Sequence, residues 1–421
     1  MRKLKVLLVS GNNFNQQSNN GKTFEAIFSQ FERNDISQLF FQQVGDLDFN
    51  YCFQYYNISI FSVLKSIFWP YIKTGHELLE KDNKHNMIEV QKEIVLRKKI
   101  PSRMGIFRDL IWYLGHWFSP ELKSWLKKVD PDFIFYVGGG TISNIDIALE
   151  ISKFLDKPIC VYYTDDYLLS PQRKTLFDKV YYSLLEKKIR NLFSKSVLRF
   201  TIGDLMTECY KKYFGLDFYT IMNSVKISKY IPYNNIRDPF IFSYMGGLTL
   251  NRWRMLARLA HLLPSNAELR VYSVHQLDEQ MQRAFDMSGV KFMGAISGDA
   301  LLEVKLNSDV LVHVESDDER SRLFTRYSVS TKIPEYLASG RPVLGFGPQE
   351  VASMRILSDN NIGFQISSSE TEEYITKKLS EIVEDFDQRK NMGLRGYKYA
   401  KQKFDVENVS KNFYQLIEKT I

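Results

Sequence analysis

Cysteine is scarce in this chain, with three residues, Cys52, Cys160 and Cys209, in a sequence of 421. They lie far apart and lack the paired spacing of metal ligands. The sequence therefore implies neither a disulfide framework nor a zinc site, and it fits a reducing cytoplasm. No run of eighteen apolar residues occurs, so no segment reads as a membrane span. The opening MRKLKVLLVSGNN holds only Val6–Val9 as an apolar run, too short for a signal peptide and better read as a first buried strand. Internal repeats and low-complexity tracts are missing too. So are ribonucleoprotein, zinc-finger and helix-turn-helix patterns, which sets nucleic acid aside as a partner.

What is present is ordinary in bulk: 44% hydrophobic and 25% charged residues, in a chain long enough for two domains with full cores. Two features stand out, a net charge of +7 and 14% aromatics. Basic residues cluster at Arg97-Lys98-Lys99 with Arg103, and at Lys187-Lys188, Arg190, Lys195 and Arg199. Such clusters suit an anionic membrane surface or plain solvated helix faces. Tyr51–Ile72 is aromatic and apolar but broken by Gln54, Asn57, Ser59, Ser62, Lys65 and Ser66. It reads as an insertion, either an amphipathic interfacial segment beside the basic one or a helix packed in its own domain.

Short apolar runs alternate with helical patterns, the mark of βαβ units and parallel sheets. The strands expected in the first half are Lys5–Val9, Phe133–Val137, Ile159–Tyr163, Val197–Ile202 and Tyr219–Met222. Helices are expected at Lys22–Phe31, Ile145–Phe154 and Leu205–Phe214. The pattern restarts at Phe240–Tyr244 and continues at Leu269–Tyr272, Val290–Met293, Val310–Val314, Val343–Phe346 and Gly363–Ile366. The expected fold class is α/β with two doubly wound, Rossmann-like domains facing across a cleft. Their bounds are 1–225 and 240–405, joined by a polar linker over 226–239, with a final helical segment over 406–421.

Several first-half motifs look chemical. Gly11–Thr23 follows a strand and precedes a helix, but Gln16 stands where a P-loop needs its first glycine, so no phosphate cradle is expected. Asn12 and Asn13 leave the end of a strand, where ligands bind in such sheets, and are suited to sugar hydroxyls. Gly138, Gly139 and Gly140 end another strand and open a helix at Thr141, a tight turn that lets a substrate approach the backbone. Asp165 and Asp166 end a third strand. They read as catalytic candidates, holding acceptor hydroxyls or meeting positive charge on a reacting sugar, or else as turn acids. Asp46-Leu47-Asp48 reads as a surface turn rather than a metal site, and no metal is expected.

The strongest signal runs from Ser308 to Gly347. A strand ending in Glu315 is followed by a polar loop, the hydroxyls of Ser328, Ser330 and Thr331, and a short helix carrying Lys332 and Glu335. Unpaired first-turn amides and the helix dipole make this a phosphate site, with Glu335 one turn in to accept from sugar hydroxyls. Upstream, Phe240–Arg254 is a strand ending in Gly246-Gly247, then a turn and a helix carrying Arg252, a fork suited to phosphate. Tyr272 ends the next strand beside a base pocket. By the strand period, His313 and Glu315 are read as facing opposite sides, with His313 in the core.

KIPEYLASGRPVLGF resembles the donor-site helix of the retaining, family 4-type glycosyltransferases of the GT-B fold. The match is specific over roughly 308–347 and 240–254 and architectural elsewhere. It implies that Glu335 binds the nucleotide ribose and that Arg252, Lys332, Ser328, Ser330, Thr331, Gly247 and Tyr272 serve the donor nucleotide and its phosphates. Asn12, Asn13, Gly139, Gly140, Thr141 and Glu315 would serve sugar or acceptor. Asp165 takes the place where the family often has a histidine near the transferred sugar. The family's first glutamate falls on Tyr327, a departure from its pattern. The resemblance implies transfer from a nucleotide-sugar donor to a saccharide or lipid-linked acceptor in capsule or O-antigen type synthesis. Retention of configuration, no cofactor and no metal go with it. So do a cytoplasmic location, peripheral on the inner face of the membrane, and a last helix that crosses back to the first domain. A sugar-nucleotide epimerase of the same fold and a non-catalytic nucleotide-sugar scaffold stay open beside it.

Overall fold

The computed structural model describes residues 3–13, 19–43, 46–80, 105–169, 175–234 and 237–421. The basic cluster at Arg97–Arg103 and the centre of the Gly11–Thr23 loop lie outside the described residues. The chain divides into two compact units, Met1–Ile221 with Val409–Ile421, and Met222–Asn408.

The first unit is built on an eight-stranded sheet: β1 (Val6–Asn12), β2 (Ile36–Gln42), β3 (Gln54–Ile58), β4 (Gly75–Leu78), β5 (Phe133–Val137), β6 (Ile159–Tyr163), β7 (Leu198–Thr201) and β8 (Tyr219–Thr220). Their order is β4-β3-β2-β1-β5-β6-β7-β8. All neighbours are parallel except β3 and β4. Every residue of β5 and β6 is buried, as expected of parallel strands covered on both faces, and both were read to the residue. The C-terminal helix Val406–Thr420 adds Phe413 to this core, its ring 5.5–5.6 Å from those of Phe28, Phe135 and Phe200.

The second unit carries β9 (Phe240–Met245), β10 (Ala267–Tyr272), β11 (Lys291–Gly294), β12 (Val310–Val314), β13 (Val343–Gly347) and β14 (Phe364–Ser367). This sheet is parallel throughout, in the order β11-β10-β9-β12-β13-β14. Phe242, Tyr244, Val312, Val314, Leu344 and Phe346 on one face of it pack with Leu256 and Leu259 of the helix Arg252–His261. Each sheet reverses its winding direction once, at β1/β5 and at β9/β12. Such switch points open a crevice at the strand carboxyl ends, and there ligands bind.

Three strands were not foreseen. β2 carries Ser37, Gln38 and Gln42 inside its apolar run, which hides it. The two of these that are fully buried include Gln38, satisfied by Ser10 Oγ at 2.8 Å and Asn12 O at 3.0 Å. Tyr51–Ile72 is not an insertion. Its first part is β3, paired in register with β2, and its second is the helix Ile60–Phe68. Of the polar residues that break the run, Gln54 and Asn57 are half-buried strand residues, Ser59 precedes the helix, and Ser62, Lys65 and Ser66 follow helical spacing; Ser66 is fully buried and accepts from the backbone N–H of His116. The cluster at 187–199 is a bonded helix face and strand, with Lys188 on Asp146, Arg190 on Glu186 and Arg199 on backbone carbonyls.

Candidate functional site

In the second unit, the switch point at β9 and β12 gathers charge. After β9 the chain passes Gly246-Gly247 and makes a turn in which Leu250 and Asn251 both take left-handed φ, 57° and 56°. A leucine there is held against its preference, a local cost of about 1 kcal/mol. The turn starts the helix Arg252–His261 at Arg252 itself. Asn251 donates to Asp318 Oδ2 at 3.1 Å, tying this turn to the loop after β12. Burial opposes ionisation of Asp318, but bonds from Ser321, Ser316 and Asn251 outweigh it and hold the carboxyl well below the usual range.

Arg252 Nη2 donates to both oxygens of Glu315, at 2.9 and 3.1 Å, with the side chains 14% and 2% exposed. His313 lies on the same side of β12 as Glu315, its Nε2 3.1 Å from Glu315 Oε1. The expectation of opposite faces is corrected: a period of two returns residues i and i+2 to one face. Burial pushes the Glu315 carboxyl up, yet His313 and Arg252 together leave it lowered. Desolvation lowers the His313 imidazole despite its carboxylate partner. Glu315 is thus enclosed behind Arg252, and its oxygens are occupied by protein.

Lys332 opens the helix Lys332–Ala338 and crosses over Gly246 so closely that any side chain there would overlap it. Its Nζ lies 5.6 Å from the Tyr244 ring centroid, and the ammonium makes no hydrogen bond or ion pair among the described residues. Part of its surface is open, but desolvation, reinforced by Arg252, lowers the ammonium to about 8. Arg252 Nε is likewise buried without a partner. Two cations therefore share one carboxylate, and donor capacity is left over for an anion.

Around this pair, Ser330 N donates to Ser353 Oγ at 2.9 Å, Ser328 N to Thr325 O and Lys332 N to Ser330 Oγ. Those amides serve the loop, so what this stretch presents is side chains, Thr331 among them, rather than the row of unpaired N–H groups expected. Glu335, partly exposed one turn in, sits 3.7 Å from Lys305, a partner with no sequence signal. Gly247 accepts from Tyr244 Oη at 2.6 Å and lies against His275. Tyr272 ends β10 buried, while Val274 and Met293 stand exposed at the ends of β10 and β11. Sequence reasoning missed His275, which a serine two residues before it orients.

In the first unit, Asn12 closes β1. Asn13 is fully buried and donates to Asp46 O at 3.2 Å, a structural use rather than an open sugar contact. Gly138 lies flat against the Tyr163 ring and Gly140 against Tyr167, leaving no room for a Cβ at either, while Gly139 faces open space. Thr141 caps the helix Ile142–Leu155 in position only. Its Oγ1 accepts from Arg108 at 2.7 Å, and Asp109 takes the Ser143 N–H at 3.0 Å and hydroxyl at 2.7 Å. Asp166 accepts from the N–H groups of Leu168 and Leu169 and from Tyr210 Oη, all at 3.0 Å, which makes it the acid of a turn. Asp165 is partly exposed beside Thr164. Asp48 accepts from Asn50 N, as a surface turn does. No group of metal-binding side chains occurs among the described residues.

No protein-family model matches the chain, and no curated protein matches it in sequence. Solved structures do match it in fold. HepE of Anabaena, solved with UDP and glucose, aligns over 99% of this chain and 100% of its own, with a TM-score of 0.64 at 12% identity. WaaB, a lipopolysaccharide outer core galactosyltransferase, aligns over 99% and 100%, with 0.61 at 12%. WaaG, a glycosyltransferase involved in lipopolysaccharide biosynthesis, aligns over 97% and 98%, with 0.57 at 13%. With two mainly parallel Rossmann-like sheets, each reversing once, and full-length likeness to these structures, this chain has the GT-B fold of the glycosyltransferases.

Proposed function

We propose that the protein is a glycosyltransferase that takes its sugar from a nucleotide-sugar donor. The observation that carries this reading is the pair Lys332 and Arg252 at the β9/β12 switch point, with a half-enclosed ammonium that has no counter-ion in contact among the described residues, Glu315 and Glu335 acting on it only through space. A diphosphate supplies that counter-ion. When the bond from sugar to diphosphate breaks, negative charge grows on the leaving oxygen, and preorganised cations in a desolvated place stabilise it without reorganising. Glu335 would accept from the ribose hydroxyls, and Gly247, Tyr272 and the exposed Val274 and Met293 would border the base. The hydroxyls of Ser328, Ser330 and Thr331 would bracket the phosphates.

The acceptor is assigned to the first unit, at Asn12, the open Gly139 with Gly140 and Thr141, and Asp165. Asp165 would bind the attacking hydroxyl or meet positive charge at the anomeric carbon. Asp166, committed to its turn, is withdrawn from the catalytic set. Retention of configuration and independence of metal are part of the proposal: the resemblance at Glu335 supports both, and the cation pair supports the second by offering neutralising charge. A role in surface polysaccharide synthesis is supported by the fold's likeness to enzymes of lipopolysaccharide assembly.

Contact with a lipid surface belongs to the same proposal. Helices Ile60–Phe68 and Gly105–Leu114 expose Phe68, Trp69, Tyr71, Phe107 and Tyr113, the last 85% and Tyr71 99% open. No helix of the described residues is long and apolar enough to cross a membrane, so this face suits an interfacial seat. The direct test is release of nucleoside diphosphate from a panel of UDP-, GDP-, ADP- and CDP-sugars, with and without bacterial glycolipid extract. Release that depends on the extract and is lost in Arg252→Ala supports transfer. Interconversion of sugars without release marks an epimerase, and neither leaves a binding protein.

A further inference from the structure

The proposed diphosphate site holds a carboxylate that no donor group can reach. Glu315 is 2% exposed, its oxygens face Arg252 Nη2 at 2.9 and 3.1 Å and His313 Nε2 at 3.1 Å, and its charge acts on Lys332. A negative charge beside an anion site ought to weaken anion binding, so its presence needs a reason. We infer that Glu315 is a positioning residue for the diphosphate site, fixing one nitrogen of Arg252 and supplying the charge that keeps Lys332 an ammonium in its enclosed position. The inference rests on the donor-site reading and adds to it a residue whose action runs through two others.

The groups facing Lys332 decide how it titrates. Arg252, from the helix after β9, disfavours its charge. Glu315 on β12 and Glu335 on its own helix favour it, and Tyr244 of β9 offers a ring face. His313 lies on the far side of Glu315, with its Nδ1 unpartnered. A diphosphate prefers the ammonium over the amine, so affinity falls as pH rises through the value of Lys332. Replacing Glu315 by a neutral amide removes a charge that holds this value up, and the fall then comes at lower pH. At low pH, where Lys332 is charged in either protein, the amide variant loses a repulsion and binds as well or better.

The test is calorimetric titration with UDP, GDP, ADP and CDP from pH 6.5 to 9, on wild type, Glu315→Gln, Glu315→Asp and Lys332→Arg. Wild-type Kd for the preferred nucleotide should rise about tenfold from pH 7 to 9, one pH unit above the lysine value costing a factor of ten. For Glu315→Gln, the ratio of its Kd to wild type should climb from about one or below at pH 6.5 to about ten at pH 8.5. Lys332→Arg should be level across the range. Glu315→Asp keeps the charge but shortens the reach to Arg252, so it should bind several-fold more weakly with an unmoved midpoint; this arm decides the matter if the glutamine variant does not fold. A Kd ratio that stays level with pH, or no change in either Glu315 variant, overturns the inference while leaving the donor site standing. If none of the four nucleotides binds wild type at pH 6.5, the donor-site reading fails and this inference with it.

Discussion

The two units share a doubly wound, mainly parallel sheet, but charge is arranged differently at their switch points. In the first unit most polar groups around β5 and β6 are bonded to one another: Asp166 to a turn and Tyr210, Asp109 to Ser143, Arg108 to Thr141, Asn13 to Asp46, while Arg108 Nε and the Tyr136 and Tyr163 hydroxyls are buried without a partner. In the second, two cations stand together: Arg252 keeps a buried Nε without a partner, and Lys332 has no ion pair among the described residues. Saturated polar groups hold a loop in shape. Two partly desolvated cations that share one carboxylate keep donor capacity and net positive charge for an anion. The pairing of two cations at the β9/β12 switch point is the ground on which anion recognition is proposed for the second unit.

The largest effect expected is for Arg252→Ala, which strands Glu315 as a buried carboxylate. Breaking such a pair costs about 3–5 kcal/mol, so the urea midpoint should drop sharply together with nucleotide affinity. A stability change below about 1 kcal/mol would mean that Glu315 is not a dependent of Arg252. Next comes Asp166→Ala, which removes three hydrogen bonds from one carboxylate. A loss of about 2 kcal/mol in stability is expected, with nucleotide affinity unmoved; a large loss of turnover at unchanged stability would return Asp166 to the catalytic set.

Glu335→Ala sharpens the comparison from the other side. It should weaken nucleoside diphosphates about tenfold and leave inorganic pyrophosphate untouched, since a ribose contact is absent from the latter. Equal weakening of both would move Glu335 from ribose to the general field of the site. The smallest effect concerns the outer face of the first unit. Trp69→Glu should lower sedimentation with phosphatidylglycerol vesicles about fivefold, near 1 kcal/mol; unchanged binding would remove the lipid surface from the account.

Much of the fold was legible because buried parallel strands are written as continuous apolar runs. Phe133–Val137, Ile159–Tyr163 and Val310–Val314 were bounded to the residue. β2 and β3 escaped because satisfied polar residues interrupt them, Gln38 by a side-chain and a backbone partner that lie more than twenty residues away. The cations of the donor site were legible in their local setting, one after Gly246-Gly247 and one at a helix start. Their relation to Glu315 was not, since Arg252 and Glu315 stand 63 residues apart and meet only when β9 and β12 pair. The role of Asp166 was equally hidden, because Tyr210 reaches it from 44 residues on. Local pattern reveals which residues carry chemistry, while partners distant in sequence decide whether that chemistry is available.

The central claim is that Lys332 and Arg252 await a nucleoside diphosphate, and thermal denaturation tests it most directly. Wild type and Lys332→Ala are melted with UDP, GDP, ADP, CDP and pyrophosphate at pH 7. A ligand that binds only the folded state at a hundred times its Kd adds about 2.7 kcal/mol of stability. The account predicts a clear rise in Tm with one of the four nucleotides, a smaller one with pyrophosphate, and neither in Lys332→Ala. A wild type whose Tm stays put with every nucleotide, or a Lys332→Ala protein that responds as wild type does, would contradict it.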